Sequence, residues 1–249
     1  MNEVLKLYAR SYYDFQMVKN EFGGRLRASE GIEKMPAERK EELEKYNKQL
    51  EIAEGKLLKV IEPYLEELPI YTEFLKPIRG CALRMSACMV TSIGDIRRFP
   101  TISKLWAYAG LHVKEGRAVR RKAGEKSNWN SFLKTKLHVL SDCLMKLNHD
   151  HETGEALRYR KFYDDYKLRI ESRPTCDADY SKVKSKAVTY LPNGYAKGHV
   201  HNMALRYIQK MFLQDYWMKS WELLGEKPPT APYAEAVLGR VHGEYPKAS

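Results

Sequence analysis

Apolar residues recur at steps of three and four along the first part of the chain, which is the pattern of an amphipathic helix. They predict a helix over residues 1–22, and Gly23 and Gly24 are expected to end it. The repeating positions are Val4, Leu5, Tyr8, Tyr12, Phe15 and Val18. A basic link containing glycine follows as far as Pro36.

A narrower apolar seam with heptad spacing runs through residues 36–68. Its members are Leu43, Tyr46, Leu50, Ala53, Leu57, either Val60 or Ile61, and Tyr64, with charged residues at most other positions. A seam of this width needs one partner helix. Either the first helix folds back on it as an antiparallel hairpin, or a second copy of the chain forms a homodimeric coiled coil through 36–68. Residues 1–68 are therefore predicted to form a helical hairpin or coiled-coil region.

Shorter elements are predicted from residue 69 onward, because Pro69 and Pro77 break the helical pattern. A tight turn at 79–82 should lead into a helix over 82–92, and a second turn at 94–100 follows. Ser103 is expected to cap the next helix and Gly110 to end it. Valines flanking a Glu-Gly pair within 111–127 predict a short β-hairpin.

The remainder predicts further helices. One begins at Ser127 or Asn128 and runs to Leu147, and others cover 154–170, 200–223 and 230–238, with a long loop at 171–198. Tyr159 and its aromatic neighbours are spaced to face a core. The predicted fold is mainly α: the N-terminal region, then a helical domain over 69–249 with a helix-hairpin-helix-like motif and one small β-hairpin.

The chain of 249 residues carries a net charge of +11, which favours a polyanionic partner and nucleic acid first. No apolar run approaches the roughly 18 residues that span a bilayer, and the N-terminus has no signal-peptide core. The expected location is the cytoplasm, in association with the nucleoid. The four cysteines form no Cys-x-x-Cys pair, so three of them, in apolar helical surroundings, are expected to be buried thiols.

The segment 113–136 is the strongest candidate for binding a phosphate backbone, because it holds eight basic residues against two acidic ones. We expect the Arg-Arg-Lys run to form the tip of the β-ribbon. A solvated basic loop is the alternative. The basic residues are Lys114, Arg117, Arg120, Arg121, Lys122, Lys126, Lys134 and Lys136.

Two further places supply candidate contacts to nucleic acid. The turn at Arg79 and Gly80 precedes a helix N-terminus, whose amides and dipole suit a phosphate, with Arg84 one turn later. Arg206 and Lys210 lie in the predicted C-terminal helix. No metal or cofactor is predicted, because His199 and His201 point to different faces of a helix and the clustered carboxylates are typical of solvated faces.

Residues 78–111 resemble the transposase domain of the IS-one-ten type insertion-sequence transposases, which are serine-dependent recombinases guided by a bridge RNA. The resemblance lies in the Ile78-Arg-Gly run, the Gly94-Asp segment up to Phe99, and the Trp106-Ala-Tyr-Ala-Gly-Leu111 end. It extends less strongly over 36–245, including the His199 to Leu213 run. The family implies a dimerising coiled coil, a metal-binding RuvC-like domain and a nucleophilic serine.

The chain departs from the family in ways that bear on catalysis. About 35 residues precede the heptad segment, too few for the RuvC-like domain, and no serine occurs between Leu111 and Lys126. Ser127 is interpreted as a helix cap, and the second glycine of the family's hairpin is replaced by Ala82. We therefore expect a non-catalytic binder of double-stranded DNA from a mobile element, plasmid, virus or host of heat-adapted origin.

Three alternatives to that expectation stay open. The first is a truncated recombinase that acts with a separate nuclease subunit or guide RNA. The second is a coiled-coil scaffold that binds other proteins, and the third is a protein that binds structured RNA.

Overall fold

A computed structural model describes residues 3–29, 36–114, 117–121, 124–178, 180 and 188–227, with the backbone alone at Ser29, Lys114 and Arg117. The fold is mainly α, as predicted. The chain divides into two compact units. The first contains helices α1 (Glu3–Ser29), α2 (Ala37–Glu66) and α3 (Leu83–Ile93), with a π-helical turn at Tyr71–Leu75.

The first unit is built on an antiparallel pairing of α1 with α2. Tyr8 near the start of α1 contacts Tyr64 near the end of α2, with ring centroids 5.9 Å apart, and Gly23 lies near Asn47. Leu5 of α1 and Ile61 of α2 are buried. Of the two predicted arrangements, the structure of the single chain therefore shows the hairpin in which α1 folds back on α2.

A buried carboxylate lies inside this helical hairpin. Glu54 of α2 accepts hydrogen bonds from the Tyr12 hydroxyl at 2.5 Å and from the Gln16 amide at 3.3 Å, and it pairs with Lys19. Burial alone would raise the pKa of Glu54, but the bonds from Lys19 and Tyr12 outweigh it and hold the pKa below its usual value. This network fixes the register of α1 on α2.

The predicted end of α1 at the paired glycines is wrong, because the helix continues through both to Ser29. Gly23 is buried, and a Cβ there would lie 3.6 Å from the Asn47 side chain. The packing against α2 therefore outweighs the weak helix propensity of glycine, about 1 kcal/mol per residue.

The second unit contains the remaining described elements, and α7 lies at its centre. These elements are a 3-10 turn at Ile96–Arg98, α4 (Ile102–Tyr108), β1 (Val113–Lys114), β2 (Arg117–Ala118), α5 (Ser131–Leu147), α6 (Arg158–Glu171) and α7 (Lys197–Leu223). Phe212 and Trp217 of α7 are fully buried, and the Trp217 indole donates to the Phe99 carbonyl at 2.7 Å. Tyr159 and Tyr163 of α6 are buried, as predicted.

A buried ion pair joins α6 to α7. The Arg158 guanidinium donates to both Asp215 oxygens at 2.8 and 3.0 Å, and the Tyr159 hydroxyl donates to the same carboxylate at 3.0 Å. Asp215 is 3% exposed, so its charge depends on these donors.

The predicted β-hairpin is present, but the Arg-Arg-Lys run does not form its tip. Val113 pairs with Ala118 and Lys114 with Arg117, so positions 115 and 116 make the connection. Arg120 and Arg121 consequently follow β2 instead of capping the ribbon, and Lys122 lies outside the described residues.

Two predicted helix caps are also wrong. Asn130, not Ser127 or Asn128, caps α5, and its side-chain oxygen accepts from the Leu133 amide at 2.9 Å. Thr101, not Ser103, caps α4. Asn and Thr are preferred capping residues, but so are the serine and asparagine residues predicted nearby. Residue type alone therefore does not identify which of them caps the helix. The helix predicted at 230–238 lies outside the described residues, as does part of the predicted loop 171–198.

Candidate nucleic-acid interface

The segment that follows the hairpin presents cations to solvent. The side chains of Arg120, Arg121 and Lys126 are exposed. Within the described part of the chain, none of the three forms an ion pair with a carboxylate. No carboxylate among the described residues therefore offsets these three charges. Lys114 and Arg117 were also predicted to contact nucleic acid, but the structure describes only their backbone.

Lys134 points inward from α5. Its ammonium donates to the Val119 carbonyl at 3.1 Å and lies 4.7 Å from the centroid of the Trp129 ring. Burial, and then the nearby Arg206, lower the pKa of Lys134. Lys136, also on α5, contacts the Phe132 ring at 5.4 Å.

Arg206 and Lys210 lie one turn apart on α7 and are also half-buried. The Arg206 guanidinium donates through Nη2 to the carbonyls of Leu111 and His112, at 2.7 and 3.0 Å. The Lys210 ammonium lies 4.7 Å from the Trp106 ring centroid. Burial lowers the pKa of both side chains, and for Lys210 the charge of Arg206 adds to the effect.

Three predicted contact residues from α5 and α7 thus share one neighbourhood, since burial and then the charge of Arg206 lower the pKa of both lysines. We call Lys134, Arg206 and Lys210 the inner cation cluster. Among the residues that the structure describes, no carboxylate pairs with any of the three. Arg120 lies near the start of α7, where burial and then the charge of Arg120 lower the pKa of His199.

The sequence did not predict which residues support the inner cation cluster. Trp129 contacts both Lys134 and the His112 ring, whose centroid is 6.3 Å away. Gly110 has φ +68°, and a Cβ there would lie 2.7 Å from Trp129. Glycine is therefore required at this position. The sequence showed Gly110 as a helix end but gave no sign of its close contact with Trp129.

The turn at Arg79 and Gly80 lines a cleft of about 420 Å³ together with residues after α5. Arg79 donates to the His149 carbonyl at 2.6 Å. Gly80 has φ +94°, and a Cβ there would lie 3.0 Å from the Cys143 carbonyl oxygen. Asp150 also lines the cleft, and its pKa is lowered by hydrogen bonds from the Thr153 and Glu152 amides. The cleft therefore carries mixed charge.

Arg84, predicted to act beside this turn, lies in the first unit. The Tyr13 hydroxyl donates to its backbone carbonyl at 3.1 Å. Burial opposes the charge of its guanidinium, but the neighbouring Tyr12 hydroxyl outweighs burial and raises the pKa of Arg84. The charge of Arg84 is thus engaged within the helical hairpin.

Ser127 and His201, two residues that catalytic chemistry could use, each hydrogen-bond a group of the protein itself. No three histidine, cysteine or acidic side chains among the described residues converge as a metal site needs. The Ser127 hydroxyl, 3.5 Å from the Trp129 carbonyl, makes a local contact to backbone. His201 hydrogen-bonds Tyr163 at 2.7 Å.

Among the described helices, none combines the length and apolar character that a membrane crossing demands.

Residues 72–154 match the family model described as Transposase IS116/IS110/IS902 family. This match confirms the resemblance seen in the sequence and relates the chain to DNA-associated proteins of the transposase class. The matched segment runs from the π-helical turn to the residues after α5, and so includes the hairpin, Arg120, Arg121 and Lys134. No curated protein and no solved structure matches the chain.

Proposed function

We propose that this protein binds double-stranded DNA without cutting it, through phosphate contacts centred on the segment after the β-hairpin. The observation that carries this proposal is that the exposed Arg120, Arg121 and Lys126 lie in the same unit as the inner cation cluster, and none of these cations pairs with a carboxylate among the described residues. Cations placed without internal counter-charges favour a polyanion. Contacts of this kind are insensitive to base sequence and weaken with salt.

The absence of a serine between Leu111 and Lys126 supports a binding role instead of strand transfer. Serine-dependent chemistry needs an activated hydroxyl held next to groups that stabilise the phosphate. Ser127 contacts a backbone carbonyl instead.

Exposed apolar residues on α2 support association of two copies through residues 36–68. Tyr46, Ile52 and Val60 are each more than one third exposed although α1 covers the opposite side of the helix. A dimer would double the number of phosphate contacts and so raise the apparent affinity for a long duplex.

A titration with matched probes tests the binding proposal. Duplex DNA, single-stranded DNA and structured RNA of equal length are titrated at two salt concentrations, with wild-type protein and the R120A/R121A variant. The control variant K56A/K59A removes two exposed cations from α2. We expect tightest binding to the duplex, and loss of affinity in R120A/R121A alone.

Other outcomes would overturn the proposal. If the protein bound structured RNA more tightly than duplex DNA, RNA would be the partner. Equal losses of affinity in R120A/R121A and K56A/K59A would show that binding depends on overall charge and not on the segment after the hairpin. A covalent DNA adduct abolished by Ser127→Ala would establish recombinase chemistry. Dimerisation without nucleic-acid affinity would establish a protein scaffold.

A further inference from the structure

The inner cation cluster differs from the exposed cations because its three charges lie partly inside the protein. A half-buried ammonium or guanidinium loses hydration, and an opposite charge ordinarily compensates for the loss. Here the compensation among described residues comes only from carbonyl oxygens and aromatic faces. These are Val119, Leu111 and His112 through their carbonyls, and Trp129 and Trp106 through their rings.

Hydrogen-bond donors of the cluster remain available for a further acceptor. Arg206 uses Nη2 for its two carbonyls, and its Nε and Nη1 donors have no partner among the described residues. Lys210 makes no side-chain hydrogen bond within the described part of the chain, since its contact is with the Trp106 ring. Lys134 uses one of three donors on Val119.

A second, independent observation at the same place is an unsatisfied histidine nitrogen. His112 Nδ1 is buried and has no hydrogen-bond partner among the described residues. The His112 ring contacts Trp129, the same ring that Lys134 covers, and its backbone carbonyl accepts from Arg206. A buried polar atom left unpaired is uncommon in a folded protein and costs free energy, and this one lies beside the same Trp129 ring as Lys134.

We propose that the inner cation cluster binds a phosphate monoester, with Lys134, Arg206 and Lys210 supplying the charge. A phosphate monoester carries a charge between −1.5 and −2 at neutral pH and three acceptor oxygens, whereas a backbone phosphodiester carries about −1. Three cations that have no carboxylate partner among the described residues therefore match the monoester better. In a nucleic acid, that group occurs at the end of a strand.

This inference deepens the proposed function, because it assigns strand ends to the inner cation cluster and duplex backbone to Arg120 and Arg121. The two assignments are separable. A phosphate site that fails leaves duplex binding by the exposed arginines unaffected, and the converse also holds.

Inorganic phosphate is the first probe, and the Trp129 and Trp106 rings beneath the lysines give the signal. We expect a saturable change in tryptophan fluorescence and a phosphate-dependent rise in melting temperature, neither reproduced by chloride at equal ionic strength. Lys210→Met should weaken phosphate binding at least tenfold. The control Lys104→Met, an exposed lysine near Trp106 in sequence, should leave it unchanged.

A second readout excludes simple loss of folding. Because Lys210 is repelled by Arg206 when no anion is present, Lys210→Met should melt at the wild-type temperature or higher in chloride alone. Lower melting of this variant in chloride, or an equal phosphate response in both lysine variants, would overturn the proposal.

Oligonucleotides then distinguish the source of the phosphate. Duplexes with and without a 5′-phosphate are compared, and likewise with a 3′-phosphate, in wild type and Lys210→Met. We expect tighter binding of one phosphorylated end by wild type only. Free phosphate binding with no end preference would instead assign the site to a small phosphorylated molecule and overturn its assignment to strand ends.

Discussion

Lys210 and Trp106 contact each other twice: the lysine ammonium lies 4.7 Å from the indole ring centroid, and the indole N–H donates to the lysine carbonyl at 3.1 Å. This pairing attaches α4 to α7. It also holds one member of the inner cation cluster against an aromatic face, where a cation–π contact offsets part of its lost hydration. The Lys134 ammonium likewise lies over the Trp129 ring, 4.7 Å from its centroid.

Gly110→Ala should strongly destabilise the second unit. The new Cβ would meet Trp129 at 2.7 Å and Lys134 at 2.9 Å, on a backbone with φ +68°. Left-handed strain and overcrowding together should cost about 2–4 kcal/mol. Chemical denaturation measures the loss. Gly124→Ala is the control, because Gly124 has φ +77° but no described atom within 4 Å of its Cβ position. Equal losses in both variants would contradict the packing argument.

Asp215→Asn should cost about 3 kcal/mol of unfolding free energy, because it leaves the Arg158 charge without its buried partner. Asp164→Asn removes an exposed partner of Arg160 and should change stability by less than about 1 kcal/mol. Thermal and urea unfolding of the two variants test this difference. A small effect at Asp215 would show that the α6–α7 pair contributes little.

Glu54→Gln should destabilise the α1–α2 hairpin by about 2 kcal/mol, since the buried site loses its charge-assisted bonds to Lys19 and Tyr12. Glu51→Gln, an exposed glutamate one turn earlier on α2, is the matched control. Circular dichroism during urea titration measures both. If Glu51→Gln proved equally damaging, the buried network would not explain the loss.

The same glutamate predicts a pH dependence. The pKa of Glu54 is lower in the folded chain than its usual value, so its contribution to stability is complete above the unfolded pKa of roughly 4.3. As pH falls through the lower folded pKa, the carboxylate takes up a proton and the contribution disappears. Wild type should therefore lose stability relative to Glu54→Gln below about pH 4. Parallel stability curves for the two proteins would contradict this.

Asn130→Ala should cost about 1 kcal/mol, because the Leu133 amide loses its capping oxygen. Ser127→Ala should cost less than half of that, since its hydroxyl makes only a 3.5 Å contact to a carbonyl. Unfolding free energies of the two variants decide which residue begins α5. A larger loss at Ser127 would restore the cap predicted from the sequence.

The sequence predicted what depends on local periodicity. The heptad pattern predicted α2 to within two residues at either end, and the valines around the Glu-Gly pair predicted the β-hairpin. The sequence wrongly predicted the end of α1 at Gly23, where packing against α2 outweighs the low helix propensity of glycine. It also wrongly predicted Ser127 as the cap of α5, which is Asn130, three positions later. Local patterns carry no information about such tertiary choices.

The candidate site was predictable as a set of cations but not as a geometry. Charge density in 113–136 identified Arg120 and Arg121, and the structure leaves both exposed. The sequence had no means of showing that Lys134 and Arg206 lie near each other or that both contact backbone carbonyls. Side chains of equal charge thus differ in role, and that difference arises from burial.

The salt dependence of duplex binding tests the central claim most directly. The dissociation constant of wild type, R120A/R121A and K56A/K59A for one duplex is measured across a series of salt concentrations. Each phosphate contact contributes about −0.9 to the slope of log affinity against log salt concentration. We predict a steep slope for wild type and for K56A/K59A, and a slope flatter by about 2 for R120A/R121A. The same slope in all three proteins would contradict the account.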